Sequence, residues 1–197
     1  MPAASKTTSR IYLDHLREMI DRIATDSVDR FADLLFDTWQ QKRCAYTFGN
    51  GGSAATASHH ACDYAKTAAV EGARRLRAIC LADNTASSTA IGNDLHYDDI
   101  FVYPLETYAT AGDVAVAISC SGKSRNVLKA CQWAKHHDVR VVALTGRDGG
   151  ILAGLADVHV NVPSEGYGVI EDLHMSIGHI VSKDLQRRVA AANTHRP

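Results

Sequence analysis

An imidazole and a carboxylate four residues apart, His59 and Asp63, follow the segment GNGGS at 49–53 in a chain of 197 residues. At that spacing both side chains share one face of a helix. Glu171 and His179, eight apart, again share a face on a later helix. The four together form a donor set suited to a divalent transition metal such as zinc. Either pair alone also reads as an ordinary surface charge pair. His174, three residues after Glu171, lies on nearly the same face, so spacing leaves it open in place of His179. His60 points about a quarter turn away from His59. His136 and His137 fall near a helix C-terminus, where the dipole accounts for them.

Two loops offer an anion site. SCSGKS (119–124) sets Ser119, Ser121 and Ser124 around Gly122 at the start of a helical stretch. Hydroxyls and unpaired N–H groups at a helix N-terminus suit a phosphate, although a serine-rich N-cap needs no ligand. GNGGS makes a second such loop. Neither matches a nucleotide motif, since GNGGS lacks the P-loop lysine and the GxGxxG spacing. A phosphorylated small molecule fits better. The third glycine loop, TGRDGG (145–150), reads mainly as turn geometry.

The elements that must carry these loops follow from hydrophobic spacing. Residues 9–24 and 27–41 have helical periodicity, with TDS (25–27) as the break and N-cap. Short apolar runs at 44–48, 77–81, 113–119, 140–146 and 158–163 predict strands. Stretches at 53–66, 85–92, 98–109, 124–137, 149–156 and 167–191 predict helices. Buried strands alternating with helices indicate α/β architecture, a doubly wound five-stranded parallel sheet with N-terminal helices. Ligands then sit at the C-terminal ends of the strands, which puts all three loops on one rim. We divide the chain into an N-terminal helical extension (1–41), a domain at 42–191 and a polar tail (192–197), with a loose polar start.

The formal net charge of −1 and the lack of a basic block argue against nucleic acid. No apolar run reaches membrane-spanning length, and the first ten residues lack a signal-peptide core, so a cytoplasmic protein is expected. Five cysteines without a CxxC pair read as reduced, mostly buried thiols.

GNGGSAATASHHACD, AIGND (90–94), ISCSGKSRNVLKA, LTGRDGG, LADVHVNVPS and IEDLHMSIGH, in that order and spacing, resemble the sugar isomerase (SIS) domain, and in particular the sedoheptulose-7-phosphate or phosphoheptose isomerases. The resemblance covers roughly residues 30–190. It implies a flavodoxin-like fold, a homotetramer with active sites at subunit interfaces, and one zinc ion per subunit. The family's metal ligands fall on His59, Asp63, Glu171 and His179, which decides against His174. Its sugar- and phosphate-binding positions fall on Asn50, Gly51, Gly52, Ser53, Asn93, Asp94, Ser119, Cys120, Ser121 and Ser124. Two positions depart: the family's usual glutamate is Asp63 here, and its usual glutamine is Glu171. A second carboxylate at the ion should tighten metal binding and weaken its Lewis acidity.

The implied reaction interconverts a ketose and an aldose phosphate through an enediolate. It needs a base at carbon, an acid at the oxygens and an electrophile for the developing charge. Asp63 is expected as base with Glu171 competing, and His179 as acid/base partner. The alternative is a non-catalytic SIS module that senses a phosphosugar or docks on a protein. Surplus apolar positions on the first two helices predict an oligomer interface.

Overall fold

The structure, a computed structural model, describes residues 7–194. The expected loose start and the end of the polar tail lie outside those residues. Five parallel strands, β1 (Cys44–Gly49), β2 (Arg77–Cys80), β3 (Val114–Ser119), β4 (Arg140–Gly146) and β5 (Val158–Val162), form one sheet in the order β2-β1-β3-β4-β5. Eight α-helices flank them: α1 (Thr8–Ile20), α2 (Thr25–Gln40), α3 (Gly52–Cys62), α4 (Thr85–Asp94), α5 (Val102–Tyr108), α6 (Arg125–His136), α7 (Gly150–Ala153) and α8 (Tyr167–Asn193). This is the doubly wound α/β sheet expected from the alternation of runs.

Strand periodicity divides the core. Val114, Val116 and Ile118 of β3 face one way with Val142, Leu144 and Val160, and are covered by Phe31 and Leu35 of α2 and by Ile170, Ile177 and Val181 of α8. Ala115 and Ala117 face the other way with Val141 and Ala143, under Val127, Ala130 and Cys131 of α6. Each large aliphatic side chain so buried contributes about 1.5–3 kcal/mol. β1 and β3 are buried throughout, as a central parallel strand must be. β2 departs from that pattern because it lies at the sheet edge, where Ile79 is largely exposed.

Several boundaries differ from the sequence reading: α1 ends at Ile20, four residues short, the helix expected over 98–109 divides into a 3₁₀ turn at Tyr97–Asp99 and α5, and α7 is only four residues long. α2 begins at Thr25 with Ala24 as its cap, so TDS lies within the first turn instead of capping it. The helix expected over 53–66 ends as α at Cys62 and continues as one π-helical turn, Asp63–Thr67, with Ala68 N donating to Asp63 O at 2.8 Å. π-turns recur at functional sites, and this one starts on a candidate ligand.

The strand order reverses between β1 and β3, and the loops after those strands, GNGGS and SCSGKS, flank the crevice this creates. Such a switch point is where open α/β sheets bind ligands.

Candidate active site

The serine loop follows β3 and opens α6. Ser124 is the N-cap residue of α6, yet its hydroxyl makes no capping bond. It pairs with Ser119 Oγ at 3.3 Å, while the Ser121 hydroxyl accepts from Lys123 N at 3.2 Å. The first turn of α6 therefore keeps N–H groups for an anion, with three hydroxyls beside them. TGRDGG braces this loop: a Cβ on Gly122, whose φ is +60°, would lie 2.0 Å from Gly149 O.

Asn50, Ser53, Ser119, Ser121, Ser124 and Glu171 share a cavity of about 160 Å³, completed by Cys120, Tyr167 and Ile118. Gly51 takes φ +55° at the cap of α3, a conformation costly for side-chain residues. Gly52 makes room for Glu171: a Cβ there would lie 2.3 Å from Glu171 Oε1. No hydrogen bond or ion pair from the described residues engages the Glu171 carboxylate. Cys120 is held as the thiol, its pKa raised chiefly by burial and further by the Glu171 charge.

Further along α3 and α8 a second group converges. His59 Nε2 and His179 Nε2 face each other at 2.9 Å, and Asp63 Oδ2 lies 3.4 Å from the first and 3.6 Å from the second. These are the ligand atoms of a metal-type cluster. Nitrogen and oxygen donors at about 2.0–2.2 Å from a tetrahedral zinc stand about 3.3–3.5 Å apart, close to the spacing found here, so the residues fit such an ion. Thr67 Oγ1 donates to Asp63 Oδ1 at 2.8 Å and fixes the carboxylate.

Glu171, expected as the fourth ligand, stands outside this group and belongs to the serine cavity. His174 takes no part either. It is fully buried, its Nε2 donates to Thr145 O at 3.0 Å, and burial lowers its pKa to about 4. His60 is likewise buried and neutral, packed where Gly178 leaves space.

Asn93 and Asp94 end α4 exposed, bonded to each other at 2.8 Å, and line neither the serine cavity nor the cavity of about 390 Å³ beyond Asn50. Asn50 is tied down. It exchanges two amide bonds with Asn126 at 2.8 and 2.9 Å and accepts from Tyr97 at 3.0 Å. Asn126 thus ties GNGGS to the first turn of α6, and Tyr97 ties it to the turn after α4. Asn126 sits in the quoted SRNVLKA stretch, but nothing in its spacing reveals the pairing; Tyr97 and Tyr167 carry no sequence signal at all.

Residues 11–146 match the SIS domain family. The phosphoheptose isomerase of Geobacter sulfurreducens is 40% identical over 173 residues, 88% of each chain. The chain belongs to the SIS domain family. Another relative shows the same identity, 40% over 167 residues: the lincomycin biosynthesis protein LmbN of Streptomyces lincolnensis, of whose length the match covers 61% and of this chain 80%. Among solved structures, phosphoheptose isomerase GmhA from Neisseria gonorrhoeae superposes with a TM-score of 0.81 at 33% identity, covering 91% of this SIS chain and 98% of that one.

Proposed function

We propose that this phosphosugar isomerase interconverts sedoheptulose 7-phosphate and the corresponding aldose 7-phosphate by proton transfer through an enediolate. One observation carries the reading: an unengaged carboxylate, Glu171, shares a cavity with the phosphate-type serine loop, and a zinc-type donor group lies farther along the same two helices.

The phosphate binds Ser119, Ser121 and Ser124 at the start of α6. The cavity of about 160 Å³ admits the phosphate and adjoining atoms, so the rest of the sugar extends out of it past Glu171. Gly52 and His59 are seven residues apart, about 10 Å along α3. Glu171 takes the proton from the carbon beside the carbonyl and returns it to the neighbouring carbon. Asp63, fixed by Thr67 and facing both imidazoles, is the weaker candidate for that work.

His59, Asp63 and His179 would hold a divalent ion, zinc by donor type, which when bound supplies an electrophile for the substrate oxygens. The subunit works in the cytosol with its cysteines as free thiols, and among the described residues no helix is long and apolar enough to cross a membrane. Ile11, Leu13 and Ile20 of α1 and Ile180 of α8 stay exposed in the single chain. They support a homotetramer built through these helices, which would bring the 7–41 segment and the active site to a subunit interface.

The test is a panel of five-, seven- and eight-carbon ketose phosphates followed by NMR with mass balance. Turnover fastest on the seven-carbon ketose supports the reading. Tight binding of the panel without any turnover would replace it by the sensing module.

A further inference from the structure

At the opposite end of the sheet from the sugar loops, the chain assembles a cationic cleft from two distant segments. Lys42 and Arg43 follow α2, while Arg74, Arg75 and Arg77 lead into β2. The register Cys44↔Arg77 sets these segments side by side, and all five cations line a cavity of about 360 Å³. No ion pair among the described residues involves any of the five; other arginines and lysines, and four histidines, supply those pairs. Asp113, the carboxylate acting on Cys44 alongside Arg77, is buried and spends its oxygens on Cys44 N, Thr110 N and Thr110 Oγ1. The local charge is strongly positive in a chain whose net charge is −1.

Two of the guanidiniums are held in place. Arg74 Nη2 donates to Trp39 O, Trp39 Nε1 donates back to Arg74 O at 2.6 Å, and the guanidinium lies 5.1 Å from the centre of the indole ring. Arg77 Nη2 donates to Lys42 O at 3.1 Å. Arg43 lies over Gly112, where a Cβ would come within 3.1 Å of its Nε. An arginine has five N–H donors, so these anchors leave most of them available. The dipole at the end of α2 accounts for Lys42 and Arg43. It does not account for Arg75, which is exposed on the other segment.

We propose that this cleft binds a pyrophosphate group, free or carried by a nucleoside diphosphate. Forked guanidiniums match phosphate oxygens in pairs, and five cations exceed the charge of one phosphate. The volume agrees, since the cleft is more than twice the size of the cavity assigned to the sugar's phosphate.

Calorimetric titration with inorganic pyrophosphate and inorganic phosphate tests this on the full chain and on Arg43→Ala, Arg75→Ala and Ser124→Ala, with circular dichroism to verify folding. Pyrophosphate should bind about tenfold or more tighter than phosphate. Each arginine variant should lose about tenfold in pyrophosphate affinity, the scale of one charged hydrogen-bonding partner, while Ser124→Ala keeps it. Arg75, being exposed, decides the matter even if Arg43→Ala folds poorly. A nucleoside diphosphate binding tighter than pyrophosphate would identify the nucleotide as the source; equal affinity would identify the pyrophosphate group itself. The proposal is overturned if Arg75→Ala binds like the parent, if Ser124→Ala loses the affinity, or if single-stranded RNA or anionic-lipid vesicles displace pyrophosphate at equal phosphate concentration.

Discussion

Replacing Glu171 by glutamine keeps size and shape and removes only the basic oxygen. A positioned base contributes about 10²–10⁴-fold, or about 3–5 kcal/mol of barrier, so turnover should fall by that factor. The substrate KM should change little, because in the proposed binding mode the phosphate rests on the serine loop. Zinc content should stay at the parent level, because the ligand atoms converge without Glu171. A second variant reaches the same carboxylate through space: in Gly52→Ala the new Cβ would stand 2.3 Å from Glu171 Oε1, so the carboxylate must retreat by about 1 Å to regain normal contact. A displacement of that size costs about 10²-fold in rate. Exchange of the C1 and C2 protons in D₂O, followed by NMR, reads the base directly, and a colorimetric chelator reads the metal. Full turnover in Glu171→Gln would refute the assignment and return the role to Asp63. Loss of zinc in that variant would make Glu171 a ligand after all.

Three further outcomes follow from the same geometry. Ser124→Ala should raise KM for the sugar phosphate about ten- to hundredfold with kcat unchanged, the scale of one hydrogen bond to a charged group, as steady-state kinetics will show. Chelation, or His59→Ala or His179→Ala, should remove the metal. Zinc added to the chelated parent at about a hundred times its Kd should raise stability by about 3 kcal/mol, seen as an upward shift in melting temperature that both variants lack. His174 titrates near 4 when folded and at an ordinary 6.5 when unfolded. The unfolded chain thus binds the extra proton first, and stability falls as pH drops from 6.5 toward 4. The cost of His174 at pH 5.5 is about 1 kcal/mol, and urea unfolding of His174→Leu should show a correspondingly smaller loss between pH 7.5 and 5.5.

The strands were legible because period and burial coincide. Runs such as DVAVAIS and RVVALTG are buried on both faces, and within the described residues each became a central strand of the sheet. β2 was legible as a strand but not as an edge, since position in a sheet depends on partners that the local pattern does not encode. The α2 boundary was misplaced for a related reason: three polar residues read equally well as a cap or as a first turn, and packing chose the turn.

At the site, the i, i+4 rule brought His59 and Asp63 together, and helical phase set His179 on the face of α8 that meets them. Phase alone left His174 in contention; burial under Thr145 O removed it. Glu171 shows the limit most clearly. Its distance from His179 along α8 is fixed by the sequence, but whether its carboxylate reaches the histidines or the serine loop depends on how α3 lies beside α8, and the bare Gly52 draws it to the serines. The cationic cleft was invisible for the same reason: no basic block exists in the chain, and β1–β2 pairing creates one from residues about thirty positions apart. By itself the sequence determined the order of elements, the rim that carries the loops and the residue types able to act there, because those depend on local period and turn chemistry. Only the tertiary structure decided which carboxylate lines the serine cavity, which joins the histidines and where positive charge collects, because these depend on contacts between segments far apart in the chain.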